Sequence, residues 1–86
     1  MYLILVYDVE QKRVNRIHKF LKRYLNWIQN SVFEGEVIES DFENMKSEIK
    51  KLIKTEDSVI IFRVENSKWL QKEILGKERS EVSRII

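Results

Sequence analysis

The sequence predicts a single small α+β domain with the element order strand, helix, strand, strand, helix, strand. The chain has 86 residues, which is enough for one domain. Continuously apolar segments alternate with two segments of helical period, and each helical segment separates two strands. Right-handed crossovers then give a ferredoxin-like βαββαβ sandwich with both helices on one face of the sheet. We place this domain at residues 1–78 and a C-terminal tail at residues 79–86.

The first strand and the first helix meet just after Asp8. Residues 1–9 are almost continuously apolar and rich in β-branched and aromatic side chains, which predicts a central strand buried on both faces. The apolar run stops at Asp8. Residues 11–25 then change to a helical period, and a stripe of apolar residues marks the buried side of this helix: Val14, Ile17, Leu21, Tyr24 and Ile28.

Residues 27–39 predict two strands joined by a tight turn. Asn30-Ser31 and Glu34-Gly35 are both turn-forming pairs, and we favour Asn30-Ser31. Gly35 would then lie within a strand, where a glycine marks a bulge or a close contact.

The second helix has a predicted N-cap at Ser40. Glu43 stands three residues later, and the two together form a capping-box pattern. Acidic residues near its start and lysines near its end suit the helix dipole, so we expect a helix from about Asp41 to Ile53.

The last predicted elements are a fourth strand at residues 57–64 and a short extra C-terminal strand within residues 72–77. With both helices on one face, the other face of the sheet would expose apolar side chains of the first strand. A domain of this size has a thin stability margin, and the chain contains no cysteine for a disulfide. We therefore expect a homodimer.

The composition excludes some locations, and the charge pattern indicates a class of ligand. Charged residues make up 35% of the chain, and the first apolar run is too short for a membrane span and lacks signal-peptide flanks, so we expect a cytoplasmic protein.

Residues 12–23 contain six cations and no anion, whereas residues 34–43 contain five anions and no cation. Such a basic face points to phosphates, although the charge pattern alone favours a solvated helix surface. His18, among these cations, is expected to be solvated.

Most enzyme signatures are missing from the sequence. There is no glycine-rich phosphate loop and no cysteine nucleophile, and the one histidine has no obvious serine partner. What remains is Asp8 at the end of a central strand. The sequence around Asp8, taken alone, favours a role for this residue in capping the following helix or turn. The alternative is a Mg²⁺ ligand, which would need a second carboxylate from another copy of the chain.

A family resemblance reverses that preference. Tyr7-Asp8 closes the first strand, Lys12-Arg13 opens a basic helix, and residues 29–36 read Gln-Asn-Ser-Val-Phe-Glu-Gly-Glu. This pattern resembles the small CRISPR-associated (Cas) endoribonuclease family, the second universal Cas protein and partner of the Cas integrase in spacer acquisition. The resemblance covers nearly the whole chain, and the Ser-Val-Phe-Glu run is its most specific part.

The resemblance implies a homodimeric, Mg²⁺-dependent endonuclease that acts on single-stranded RNA or duplex DNA and also bridges two integrase dimers. Asp8 would be the metal ligand. Many members carry paired arginines early in the first helix, but here Val14 follows Arg13, so the arginine that approaches the phosphate stays open between Arg13 and Arg16. Phe33 is expected to pack in the core or at the dimer interface. The implied catalytic residues are Asp8, Tyr7, Arg13, Arg16 and Ser31, and the implied nucleic-acid-binding residues are Lys12, Arg13, Arg16, Lys19 and Arg23.

Two other functions remain open at this point. One is a non-catalytic scaffold that binds DNA through the basic helices. The other is a ribonuclease toxin of related fold. An RNA-recognition module of the same topology is disfavoured, because its Lys/Arg-Gly-aromatic motif is absent.

Overall fold

A computed structural model of the chain describes residues 1–80. Its elements are β1 (Tyr2–Asp8), α1 (Gln11–Leu21), β2 (Asn26–Gln29), β3 (Val32–Glu36), α2 (Glu39–Leu52) and β4 (Ser58–Val64), followed by a short 3₁₀ helix at Ser67–Trp69. The predicted βαββαβ order is confirmed. In this part of the chain no helix is both long and apolar enough to cross a membrane.

The strands form one sheet in the order β2-β3-β1-β4, and each neighbouring pair is antiparallel. This is the ferredoxin-like arrangement, with β1 in the centre as its apolar sequence predicted. Leu5 of β1 lies opposite Phe33 of β3, and Asp8 lies opposite Ser58 of β4. The end of β1 and the start of β4 are therefore neighbours at one end of the sheet.

Only one face of β1 is fully buried. Its odd-numbered residues Leu3, Leu5 and Tyr7 pack in the core under the helices, whereas the residues between them are partly exposed. On the same open face, Ile60 and Phe62 of β4 are more than half exposed, at 53% and 56%. The expectation of burial on both faces of β1 was therefore wrong, and the expectation of an apolar open face was right.

The β2–β3 hairpin turns at Asn30-Ser31, as the sequence favoured. Asn30 has a positive φ of 47°, a conformation that asparagine tolerates better than most residues. The Trp27 indole Nε1 donates a hydrogen bond of 2.9 Å to the Asn30 carbonyl across this turn. Gly35 allows a close approach, since a Cβ there would lie 3.2 Å from Leu25 Cδ2. The register irregularity of the hairpin lies at Trp27 and Gln29 instead.

Both helix boundaries differ from the prediction. The helix α2 begins at Glu39, and the amide of Phe42 donates to the carbonyl of Ile38 at 3.0 Å, so Ser40 lies inside the first turn and is not the N-cap. The predicted capping box does not form. The helix α1 ends at Leu21 and not near residue 25, because the amides of Arg23 and Tyr24 bond three residues back and tighten the last turn.

The extra C-terminal strand predicted within residues 72–77 is not formed in the single chain. The edge strands of the sheet are β2 and β4, and residues 70–80 form a backbone hydrogen-bond ladder with neither of them. Most of the tail predicted at residues 79–86 lies outside the described residues, which end at Ser80.

Candidate metal-binding and nucleic-acid-binding site

Asp8 is the last residue of β1 and is exposed. Alternation along the strand directs its side chain to the open face, opposite to that of the buried Tyr7. Among residues 1–80, no group hydrogen bonds or forms an ion pair with the Asp8 carboxylate. The role in capping that the sequence alone favoured is therefore not observed.

Asp57 performs that role instead. Its carboxylate accepts hydrogen bonds from the backbone amides of Glu10 and Lys54, both at 2.9 Å. It also accepts two from Arg13, at 2.6 Å from Nε and 3.0 Å from Nη2. The Asp57 side chain is completely covered. It thereby joins the β1–α1 connection to the segment between α2 and β4.

The Arg13 guanidinium is surrounded by carboxylates. Besides Asp57, its Nη2 atom lies 3.2 Å from Glu10 Oε2 and 3.0 Å from Glu56 Oε1. The hydrogen bond from Arg13 lowers the pKa of Asp57 well below its usual range, and the same bond raises the pKa of Arg13 further above its usual range. Arg13 is thus held as a structural cation at the start of α1.

Tyr7 and Phe33 are buried beneath the strand end, and the half-buried Ser31 lies beside them. The Tyr7 ring centroid is 6.3 Å from that of Phe33, and the Tyr7 amide donates to the Ser31 carbonyl at 3.1 Å. Burial raises the pKa of the Tyr7 hydroxyl. Phe33 is fully buried, which confirms the expectation of a core aromatic.

The other predicted cations lie on the outer surface of the helices. Lys12, Arg16 and Lys19 are exposed along α1. Arg23 follows the helix, and its guanidinium carbon lies 5.7 Å and 5.9 Å from the ring centroids of Phe20 and Tyr24. These cations and Asp8 are on opposite faces of the sheet, so one chain does not gather the predicted residues into a single pocket.

His18 differs from its expected solvated state. It is partly buried, with its ring 5.0 Å from the Phe33 ring and 6.1 Å from the Trp27 ring, both edge-on. It follows the buried Ile17 and borders the core side of α1. The sequence missed this because the contacts depend on β2 and β3 packing under the helix.

The chemistry of Asp8 fits one ligand of a hard cation. Mg²⁺ prefers carboxylate oxygens and retains several waters, and proteins usually bind it through one or two carboxylates. Within residues 1–80 no three acidic, histidine or cysteine side chains group together as a metal site. Asp8 would therefore need a second chain to complete a two-carboxylate site.

Comparison with known proteins identifies the relatives of this chain. The family model described as CRISPR-associated protein Cas2 matches residues 1–72. The CRISPR-associated endoribonuclease Cas2 of Pyrococcus furiosus is 47% identical over 87 aligned positions that cover 100% of both chains. The protein of the same description from Methanocaldococcus jannaschii is 49% identical, covering 100% of this chain and 76% of its own length.

Solved structures give the same family and fold. A crystal structure of a Cas2 protein aligns with a TM-score of 0.84 and 43% identity over 100% of this chain and 98% of the other. The Cas2 of Streptococcus pyogenes aligns with a TM-score of 0.77 and 28% identity over 88% of this chain and 100% of the other.

Proposed function

This chain belongs to the Cas2 family of CRISPR-associated proteins, and we propose that it acts in CRISPR adaptation as a Mg²⁺-dependent endonuclease. The proposed reaction is hydrolysis of phosphodiester bonds in single-stranded RNA or duplex DNA in the cytoplasm. The observation that carries the proposal is Asp8, an exposed carboxylate without a donor at the end of the central strand. The description of its relatives as endoribonucleases supports the same activity.

We place the reactive site at the symmetry axis of a homodimer. One chain supplies a single open carboxylate, and its open sheet face exposes large apolar side chains, including Ile60 and Phe62. Pairing two copies near this face would cover apolar surface and bring two Asp8 carboxylates together. A bound Mg²⁺ would there neutralise phosphate charge and favour attack by water.

The neighbouring residues have separate roles in this proposal. Tyr7 and Ser31 hold the end of β1 through their backbone hydrogen bond, and they orient Asp8. Arg16 is the arginine proposed to neutralise phosphate charge, because Arg13 is already occupied by Asp57, Glu10 and Glu56.

Asp8→Asn tests the catalytic proposal. The substitution keeps the side-chain volume and removes the charge. Cleavage of single-stranded RNA and duplex DNA in Mg²⁺ should therefore fall by about a hundredfold or more. Loss of a direct metal ligand should reduce activity more than loss of a residue that only orients a ligand, which reduces it by about 10- to 100-fold. Glu43→Gln removes one exposed carboxylate from α2 and should cleave as the parent protein does. EDTA should abolish cleavage in both. Undiminished cleavage by Asp8→Asn would remove Asp8 from the mechanism.

A second function, compatible with the first, is to act as a dimeric scaffold of the spacer-integration complex together with the Cas integrase. The observation that favours it is the separation of the exposed α1 cations from Asp8 by the sheet. Nucleic-acid binding would then not require Asp8. The Asp8→Asn dimer should still bind duplex DNA and support spacer acquisition in cells. Loss of acquisition by a folded Asp8→Asn dimer would contradict a purely structural role.

A further inference from the structure

The outer face of the two helices contains a groove that joins cations from both. One depression of about 380 Å³ is lined by α1 and the C-terminal half of α2, and a second of about 280 Å³ continues it towards the start of α1. The two depressions share Arg16, Lys51 and Leu52. We call this continuous feature the inter-helix groove. Its charged lining residues are Lys12, Arg13, Arg16, Lys19, Arg23, Glu48, Lys51 and Lys54.

The cations of the inter-helix groove differ in their availability to a ligand. Arg13 is held by Asp57 and is not available. Lys51 lies 3.0 Å from Glu48, but its side chain is 73% exposed, so its ammonium group is still accessible to a phosphate. Arg16, Lys19 and Lys54 have no carboxylate partner among the described residues. The groove therefore presents unneutralised positive charge from both walls, with a single acidic residue in its lining.

The spacing of the α1 cations suits a chain of phosphates. From Lys12 to Lys19 the helix rises about 10 Å, at about 1.5 Å per residue. One strand of a duplex carries a phosphate about every 3.4 Å along the axis, so this length follows about three phosphates. Binding to a membrane surface would require large exposed apolar side chains, and within residues 1–80 none of these lines the inter-helix groove.

We propose that the inter-helix groove binds the sugar-phosphate backbone of one nucleic-acid strand, with Lys51 and Lys54 of the second helix contacting phosphates beside Arg16 of the first. This inference rests on the nucleic-acid binding proposed above, and it adds α2 to a surface that the sequence assigned to α1 alone. Phosphate contacts of this kind carry no base information, so binding is independent of sequence. A single strand and one strand of a duplex present the same chemistry.

Two ion pairs on α2 provide a matched comparison. Lys51 pairs with Glu48 at 3.0 Å, and Lys46 pairs with Glu43 at 3.1 Å, both with a spacing of three residues on the same helix. Lys51 and Glu48 line the inter-helix groove. Lys46 lies outside it, over the Phe42 ring at 4.5 Å from the centroid. Substitutions at the two pairs change net charge equally and differ in position.

Fluorescence anisotropy in EDTA, with a labelled single-stranded RNA and a labelled duplex DNA, measures binding without cleavage. Lys51→Ala should weaken binding about fivefold near 0.15 M salt, which is the contribution expected from one phosphate contact. The slope of log K against log salt should become shallower by about 0.9 for the duplex and about 0.7 for the single strand. Lys54→Ala should behave similarly, and Lys46→Ala should leave both the affinity and the slope nearly unchanged.

Glu48→Gln provides a test in the opposite direction. Removing this carboxylate frees Lys51 and removes the one acid of the groove, so binding should tighten severalfold. Glu43→Gln should not have this effect. A gain of affinity cannot arise from partial unfolding, so this variant separates a contact from a folding defect.

The outcomes distinguish the inference from the function on which it rests. If the parent protein binds neither nucleic acid, the proposed nucleic-acid function fails. If the parent protein binds but Lys51→Ala and Lys46→Ala weaken binding equally, the inter-helix groove is not the binding surface. If Glu48→Gln and Glu43→Gln have the same effect, only overall charge matters and the groove assignment is overturned.

Discussion

Asp8 and Asp57 lie at the same end of the sheet and have opposite surroundings. Asp8 is paired in register with Ser58, the residue directly after Asp57. The Asp57 carboxylate is completely covered and accepts four hydrogen bonds, whereas the exposed Asp8 carboxylate accepts none from the described residues. The fold uses one of these carboxylates for its own connections and leaves the other free for a ligand.

Arg13 and Arg16 show the same division among the cations. The two arginines lie one helical turn apart, on the same helix. Both line the inter-helix groove, but Arg13 is occupied by three carboxylates, whereas Arg16 has no carboxylate partner among residues 1–80. The partners that the fold brings to a charged residue therefore decide whether it stabilises the fold or stays available to a ligand.

The largest effect on stability in this comparison is expected from Asp57→Ala. The substitution leaves two backbone amides and the Arg13 guanidinium without their acceptor, which costs more than the loss of the carboxylate's own contacts. Thermal and urea unfolding should show a clear loss of stability relative to the parent protein. Asp8→Ala makes the same chemical change at an exposed position. Equal stability of the two variants would show that the Asp57 network is not structural.

The pH dependence of stability should reveal the hydrogen bonds of Asp57. The pKa of Asp57 in the folded protein is lowered, chiefly by the Arg13 hydrogen bond, whereas the pKa of an aspartate in the unfolded chain is about 3.9. The stabilisation is therefore complete above about pH 5 and is lost as the pH falls through the unfolded and then the folded value. The difference in unfolding free energy between the parent protein and Asp57→Asn should be constant above about pH 5 and shrink in acid. A difference that persists unchanged to about pH 2.5 would contradict the assigned cause.

The smallest effect is expected for the stability of Asp8→Asn in EDTA. An exposed side chain without hydrogen bonds contributes little to folding, so its unfolding free energy should lie within about 0.5 kcal/mol of the parent value. Urea unfolding at fixed protein concentration provides the measurement. A larger loss of stability would mean that Asp8 has a structural partner and would weaken its assignment as a ligand.

Local sequence patterns predicted much of the fold. A continuous apolar run placed β1, and hydrophobic periodicity placed α1, because the side chains on one face of a helix recur every three or four residues. Asn30 marked the hairpin turn because its backbone tolerates positive φ. These signals lie within a few residues of the structure that they specify.

Interactions between distant residues could not be read in the same way. The hydrogen bonds of Asp57 to Glu10 and Arg13 join residues 47 and 44 positions apart, so only the folded chain shows that Asp57 takes the role assigned to Asp8. The capping pattern at Ser40 was overridden by a helix that begins earlier. The strand expected within residues 72–77 would have to pair with an edge strand, and this segment pairs with neither β2 nor β4.

The number of Mg²⁺ ions bound per chain tests the central claim most directly. Isothermal titration calorimetry of the purified parent protein and of Asp8→Asn, with Glu43→Gln as the charge-matched control, measures this stoichiometry. If two Asp8 carboxylates share one site, the parent protein and Glu43→Gln should bind one Mg²⁺ per two chains, and Asp8→Asn should bind none. Retention of the ion by Asp8→Asn, or one ion per chain in the parent protein, would contradict Asp8 as half of a shared metal site.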